Sequence, residues 1–371
     1  MGLEILKKSD YAESTITFVG LSMNMYNRPQ YVLIDSDEGK DSRLKFPGLR
    51  FRAPLKGRTL EDVAADRFEE QTGLKVVHNL GLRAVIPARS RHDRKWIFRN
   101  IFAGVVDGTR AEKKDTRKTY IADAGHGINN DYGFAHLLDN SKNKIPIEWI
   151  TPENHVIAEL ATNMLYHFDW NSHETSWMKR IPSIGVEPQT DSDSRELGCG
   201  LAVSSIFLVY RSNSHEEEKV ILLKRREDEY PGYAGGKIET PKDAEATNID
   251  PISCCVEEGA QEFGFGIMPL GLIGVACTSI NMLSEKYHNS IVTYSFVARP
   301  VNPLGVELAL RGKPPEEKME KYVVEGLREH KDRVLRGELR MPDMIGIGNM
   351  FYKNNPGNRI PLTQIYDSGR K

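Results

Sequence analysis

Four cysteines in 371 residues are too few and too irregularly placed for a disulfide framework or a zinc knuckle. Cys199, Cys254, Cys255 and Cys277 form no CxxC pair, and two are adjacent, so reduced thiols in a cytoplasmic protein are expected. No apolar run approaches the roughly 18 residues that would span a bilayer, which argues against a membrane protein. The opening MGLEILKKSDYAES lacks the apolar core of a secretory signal, and Leu6 stands where N-myristoylation prefers Ser or Thr. An excess of one charge is also missing. With 50 Lys and Arg against 52 Asp and Glu, the formal net charge is −2, so bulk electrostatics disfavour nucleic acid as a partner. Short basic clusters, Lys113, Lys114, Arg117 and Lys118 and then Lys224, Arg225 and Arg226, read first as solvated faces. Walker A and dinucleotide-binding fingerprints are absent. Ser204 and Ser205 lie in a strand pattern without a nucleophile elbow, which excludes serine-dependent hydrolysis of that kind.

What the chain does contain is a repeat. TITFVGLSMNM and QYVLIDS read as strands, followed by a loop ending in FPGLRF and a helix in TLEDVAADRFEEQTGL, with Thr59 as N-cap and Gly73 as stop. The same order returns in LAVSSIFLVYR, KVILLKRR, GYAGGKIE and DPISCCVEEGAQEFGF, where Asp250 and Pro251 form a helix start. Gly48 then corresponds to Gly235, and Gly73 to Gly264. Two β-like segments follow each helix: LGLRAVIPA and WIFRNIFAGVV, then LIGVACTSI and SIVTYSFVARPV. A period this long indicates duplicated domains, since solenoid repeats run about 20–50 residues. The expected division is residues 1–170, a connection at 171–195, and 196–371. The helix TPENHVIAELATNMLYHF closes the first unit, and Pro314–Leu339 reads as a charged helical extension of the second. His167, Asp169, His173 and Glu174 match no metal spacing and read as packing or polar linker.

The chemistry concentrates between Gly235 and Phe265. Glu258 and Glu262 are four residues apart and share a helix face, where two negative charges repel unless a cation lies between them. Paired glycines upstream let backbone approach such a site closely. On a helical wheel Ile252, Val256, Ala260 and Phe263 form the apolar arc, with both glutamates at its edge.

Strand, glycine turn, loop and acidic helix ending in glycine together resemble the Nudix box, G-x5-E-x7-R-E-U-x-E-E-x-G-U, in which U is aliphatic or aromatic. The resemblance covers both halves. It implies an α+β fold, two Nudix-like α/β/α sandwich domains with mixed sheets, the first box degenerate and the second divergent. In the second unit Gly236 matches the opening glycine, Glu258 the glutamate of R-E, Gln261 and Glu262 the E-E pair, and Gly264 and Phe265 the final pair. Glu257 replaces the family arginine, Gln261 cannot balance metal charge as a carboxylate does, and the loop carries a seven-residue insertion. Lys242, Asp243 and Glu245 all remain candidates for the upstream glutamate. In the first unit Leu49 replaces the opening glycine, and Asp66, Arg67, Glu70 and Gln71 replace R, E, E and E. An Arg at a ligand position repels metal, so that site is expected to be metal-free, with Arg67 paired to Glu70 or Asp66 in preference to contacting a phosphate.

By resemblance, the function is cleavage of a pyrophosphate bond in a nucleoside diphosphate-linked small molecule with Mg2+ or Mn2+. Glu258 and Glu262 would be the catalytic residues, with one of them, or a metal-bound hydroxide, readying the attacking water. Gly235 (through its carbonyl), Glu258, Gln261 and Glu262 would hold the metal. Arg225, Arg226, Lys237 and Glu239 would meet the substrate. The first unit would be a scaffold, standing where the second subunit of Nudix homodimers sits, and a homo-oligomer is allowed. The alternative is a catalytically inactive Nudix-fold module that binds a nucleotide or a protein.

Overall fold

Gly73 and Gly264 each close a helix in the left-handed conformation, at φ 75° and 74°, and each opens a long antiparallel hairpin. The computed structural model describes residues 12–24, 26–27, 29–35, 43–50, 58–89, 96–110, 118–123, 134–137, 140–146, 150, 152–175, 178–185, 200–211, 216–236, 238, 251–281 and 288–340. Its first half runs β1 (Glu13–Met23), β2 (Pro29–Asp35), β3 (Leu44–Lys45), β4 (Gly48–Arg50), α1 (Leu60–Thr72), β5 (Leu74–Arg89), β6 (Trp96–Arg110), β7 (Thr119–Asp123), β8 (Phe134–Leu137), β9 (Asn140–Pro146) and α2 (Pro152–Tyr166). Three short strands follow, β10 (Phe168–Asp169), β11 (Glu174–Thr175) and β12 (Ser183–Gly185). The second half runs β13 (Gly200–Tyr210), β14 (Lys219–Arg225), α3 (Pro251–Phe263), β15 (Ile267–Asn281), β16 (His288–Pro300), α4 (Pro303–Leu310), β17 (Met319–Gly326) and α5 (Leu327–Arg336).

The pairing repeats with the sequence. In the first half β5 pairs antiparallel with β6, β6 parallel with β1, β1 antiparallel with β2, and β2 with β7. In the second, β15, β16, β13, β14 and β17 pair in the same order and directions. This is an α+β fold built on mixed sheet. The halves are joined where β1 meets β13, at Glu13↔Leu201 and Ser14↔Gly200, so their strands form one 15-stranded sheet. One core runs through both, with Phe18, Phe68 and Phe102 from the first half continuous with Ile206, Phe263 and Phe296 from the second. At the seam the buried Tyr294 hydroxyl lies 3.0 Å from Ser14 Oγ and accepts from Asn100 Nδ2 at 3.0 Å, which satisfies three polar groups that burial would otherwise leave costly.

Three sequence expectations meet the fold at particular places. Within the expected connection, Ile181 bridges to Leu82 and β12 pairs parallel with β15, so this segment contacts both halves. His173, at φ 54°, stacks on His78 with ring centroids 4.7 Å apart, in line with the packing reading. The single helix expected over Pro314–Leu339 is corrected: Met319–Gly326 is strand β17, and only Leu327–Arg336 is helical. Tyr322, Val323 and Val324 favour strand, and pairing with Leu222 and Leu223 of β14 outweighs the helix-forming Glu and Lys around them. No helix among the described residues is long and apolar enough to cross a membrane.

Candidate functional site

The glycine pair is held by the strand beneath it. Ile206 N–H donates to the Ala234 carbonyl at 2.9 Å and Ser204 N–H to the Gly236 carbonyl at 2.8 Å, so residues 234–236 run along β13. Gly235 lies between these contacts and turns its N–H the other way, onto Glu262 Oε2 at 2.8 Å. It adopts φ +142°, and a Cβ there would lie 2.3 Å from the Ser204 carbonyl oxygen, so only glycine fits. Gly236 has a different reason to be bare. A Cβ on it would lie 2.4 Å from Glu258 Oε1 and 2.5 Å from Oε2, so the Glu258 carboxylate rests on this residue.

Helix α3 delivers both glutamates by burying the face that carries Pro251, Cys255, Gly259, Glu262 and Phe263. The expected apolar arc is thereby rotated: Val256 is 37% exposed and Ala260 is exposed. Gly259 explains the rotation. A Cβ at this position would lie 2.3 Å from Ile267 Cδ1, so the bare backbone is the surface on which Ile267 and Ile206 pack. One consequence is that Glu262 is only 2% exposed, whereas Glu258 is half-buried and Glu257 and Gln261 face solvent.

Cations collect at Glu262. Arg225 Nη2 lies 3.6 Å and Lys318 Nζ 3.9 Å from its Oε1, and Lys318 is 2.5 Å from Glu316 Oε1. Burial pushes the Glu262 carboxyl up to about 7; the Gly235 N–H, Arg225 and Lys318 oppose this, and Glu316 adds to it. Among the described residues, the buried atoms Arg225 Nε and Glu316 Oε2 have no hydrogen-bond partner. Lys224 bends away to the backbone carbonyls of Asp228 and Glu229. Arg226 is exposed, and its N–H donates to the Lys318 carbonyl at 3.2 Å. Lys237 and Glu239, expected to meet substrate, lie outside the described residues. Sequence reasoning missed Glu316 and Lys318, because both were absorbed into the expected helix. Pro314 and Pro315 were the available signal, since a proline pair there marks a loop.

The first half supplies an internal comparison. Gln71, at the position of Glu262, accepts from the Gly48 N–H at 3.2 Å and donates through Nε2 to the Gly48 carbonyl at 3.0 Å. A glutamine answers both polar groups of its glycine; a carboxylate has only acceptors and can answer the N–H alone. Arg67 pairs with Glu70 at 2.5 Å, while Asp66 pairs with Arg58. Among the described residues no three His, Cys, Asp or Glu side chains converge closely enough to hold a metal by themselves. Among the described side chains, Glu258 and Glu262 are the carboxylates that meet the glycine pair.

No protein-family model matches the chain, and no curated protein does. Among solved structures it is similar to a Nudix hydrolase from Nitrosomonas europaea, at 13% identity over 46% of this chain and 98% of that one, TM-score 0.30. It is also similar to a MutT/nudix family protein from Enterococcus faecalis, at 14% identity over 44% of this chain and 65% of that one, TM-score 0.30. A third is the Nudix domain of Shewanella oneidensis NrtR, crystallised with ADP ribose, at 12% identity over 45% of this chain and 99% of that one, TM-score 0.27. All three are Nudix structures.

Proposed function

We propose that the second half is a Nudix-type pyrophosphohydrolase, using Mg2+ or Mn2+ to cleave a nucleoside diphosphate linked to a further group. One observation carries this reading: a buried carboxylate, Glu262, accepts from Gly235 N–H while a second, Glu258, rests on Gly236. The orphaned Glu316 oxygen beside them adds a third acidic group to the neighbourhood. The donor set is oxygen-only, as a hard divalent cation requires. Such a cation, when bound, would neutralise charge on the pyrophosphate and acidify a nearby water. Glu262 and the Gly235 carbonyl would hold it, with Glu258 completing the set. Glu258, the more exposed of the two glutamates, would orient the attacking water and accept its proton. Arg225 would face the phosphate oxygens from the end of β14.

A non-catalytic nucleotide- or protein-binding module is the second reading. It is favoured by Gln261 lying exposed and by the absence, among the described residues, of three ligating side chains within reach of one metal. A panel of nucleotide sugars, dinucleoside polyphosphates, ADP-ribose and NAD separates the two. Cation-dependent release of nucleoside monophosphate, lost in Glu258→Gln, supports the hydrolase. Saturable binding of a panel member without turnover, at any cation concentration, sinks it and supports the module.

A further inference from the structure

The segment carrying Lys318 is fixed on both sides. Pro315 packs on the stop of α3, where a Cβ on Gly264 would lie 3.2 Å from the proline ring. Met319 N–H donates to the Glu316 carbonyl at 2.9 Å, and the Lys318 carbonyl accepts from Arg226 at 3.2 Å. At this point β14 slips register against β17, between Lys224 and Arg225. A slip of this kind re-aims the side chains around it. The result is that Arg225, at the end of β14, and Lys318, in the turn that precedes β17, approach the same oxygen of Glu262.

The two cations are not equivalent. The Arg225 side chain is 31% exposed and belongs to the last residue of β14, whereas that of Lys318 is 52% exposed, comes from a turn and is shared between Glu262 and Glu316. A lysine ammonium on a flexible stem can leave a carboxylate at small cost, and its departure leaves the positive charge at the mouth of the site. A divalent cation ligated by Glu262 and the ammonium compete for the same negative charge. Orphaned Glu316 Oε2 shows that the present arrangement leaves acceptor capacity unused.

We propose that Lys318 is the exchangeable cation of this site: it neutralises Glu262 and Glu316 while no divalent cation is bound, and binds an anionic phosphate oxygen of the substrate once one is. This inference rests on the metal-dependent reading above. The experiment measures Mn2+ binding to the full chain by the resonance signal of the free ion, and inorganic pyrophosphate binding at saturating Mn2+ by calorimetry. In Lys318→Met, Mn2+ binds about fivefold more tightly than in the wild type, the size expected for losing one partly exposed charge, and pyrophosphate about fivefold more weakly. Lys318→Arg returns both towards wild-type values. Opposite movement of the two affinities is the signature, because a merely misfolded variant weakens both. If Mn2+ binds the wild type and is lost in Glu262→Gln but is unchanged or weaker in Lys318→Met, the inference fails and the metal site stands. If Mn2+ binds neither the wild type nor Lys318→Met, both fall together.

Discussion

Replacing Glu262 with glutamine should make the cation-free protein more stable and abolish the proposed metal binding. The carboxyl is raised from 4.5 to about 7, chiefly by burial. Its unfolded counterpart ionises freely near 4.5, so between these values the unfolded chain binds fewer protons than the folded one. The penalty is therefore absent below pH 4.5, grows as pH rises, and is complete above pH 7. At about 1.4 kcal/mol per unit it reaches roughly 3 kcal/mol at pH 8. Glutamine is nearly isosteric, has no charge to desolvate, and can reproduce both contacts that Gln71 makes to Gly48. Urea unfolding of wild type and Glu262→Gln in chelator, at pH 5 and pH 8, measures the effect directly. The variant should gain about 3 kcal/mol at pH 8 and about 0.8 kcal/mol at pH 5. Mn2+ at about a hundred times its Kd should add some 2.7 kcal/mol to the wild type alone and close the gap. A variant less stable than wild type at pH 8 in chelator, or a difference that ignores pH, would refute the reasoning.

The two glycines should separate fold from function. Gly235→Ala forces a Cβ against backbone in a positive-φ residue and should cost more than about 2 kcal/mol in chemical unfolding. Gly236→Ala meets only the mobile end of Glu258, so it should lower Mn2+ affinity with a stability loss under about 1 kcal/mol. For Gly259→Ala, helix propensity gains about 1 kcal/mol, but overpacking against Ile267 costs about 1–3 kcal/mol, and calorimetry should show a lower melting temperature. Burial would raise Glu325, yet hydrogen bonds from His330 and Arg333 leave it lowered overall. Its stabilisation is present above the unfolded value near 4.5 and is lost as pH falls through the lower folded value. Glu325→Gln should therefore cost about 3 kcal/mol at pH 7 and progressively less on acidification, as read by urea midpoints.

Features set by local backbone chemistry were legible in the sequence. Thr59 caps α1 through a reciprocal box with Asp62, and Gly73 and Gly264 stop their helices in a conformation that side chains resist. The long hairpins were visible in their β-branched runs. Features set by tertiary contact were not. In the sequence Gly259 fits either close packing or relaxed constraint; Ile267 packed on its bare backbone decides for packing, on the face that also encloses Glu262. Residues 319–326 mix helix-forming Glu and Lys with strand-favouring Tyr and Val, and pairing with β14 decides for strand. The approach of Arg225 and Lys318 depends on a register slip for which no residue pattern gives notice.

The repeated frame carries two different polar arrangements at the same place. At the end of α1 and of α3 a side chain reaches a glycine beside it, and the two outcomes differ by one atom, nitrogen in Gln71 and oxygen in Glu262. The nitrogen completes the hydrogen bonding of Gly48, and the first site closes on itself. With oxygen in that place, the second site holds a buried carboxylate that the protein answers only in part, through Gly235 N–H and two cations beyond 3.5 Å. Evolutionary drift towards stability alone would favour glutamine in both halves, since it removes a buried charge. Glu262 therefore stands at a cost in stability, and the proposed cation would offset that cost. Installing the reverse change, Gln71→Glu, should test this symmetry: it should destabilise the first half more at pH 8 than at pH 5, without creating a Mn2+ site, because Arg67 stands where Glu258 does in the second half.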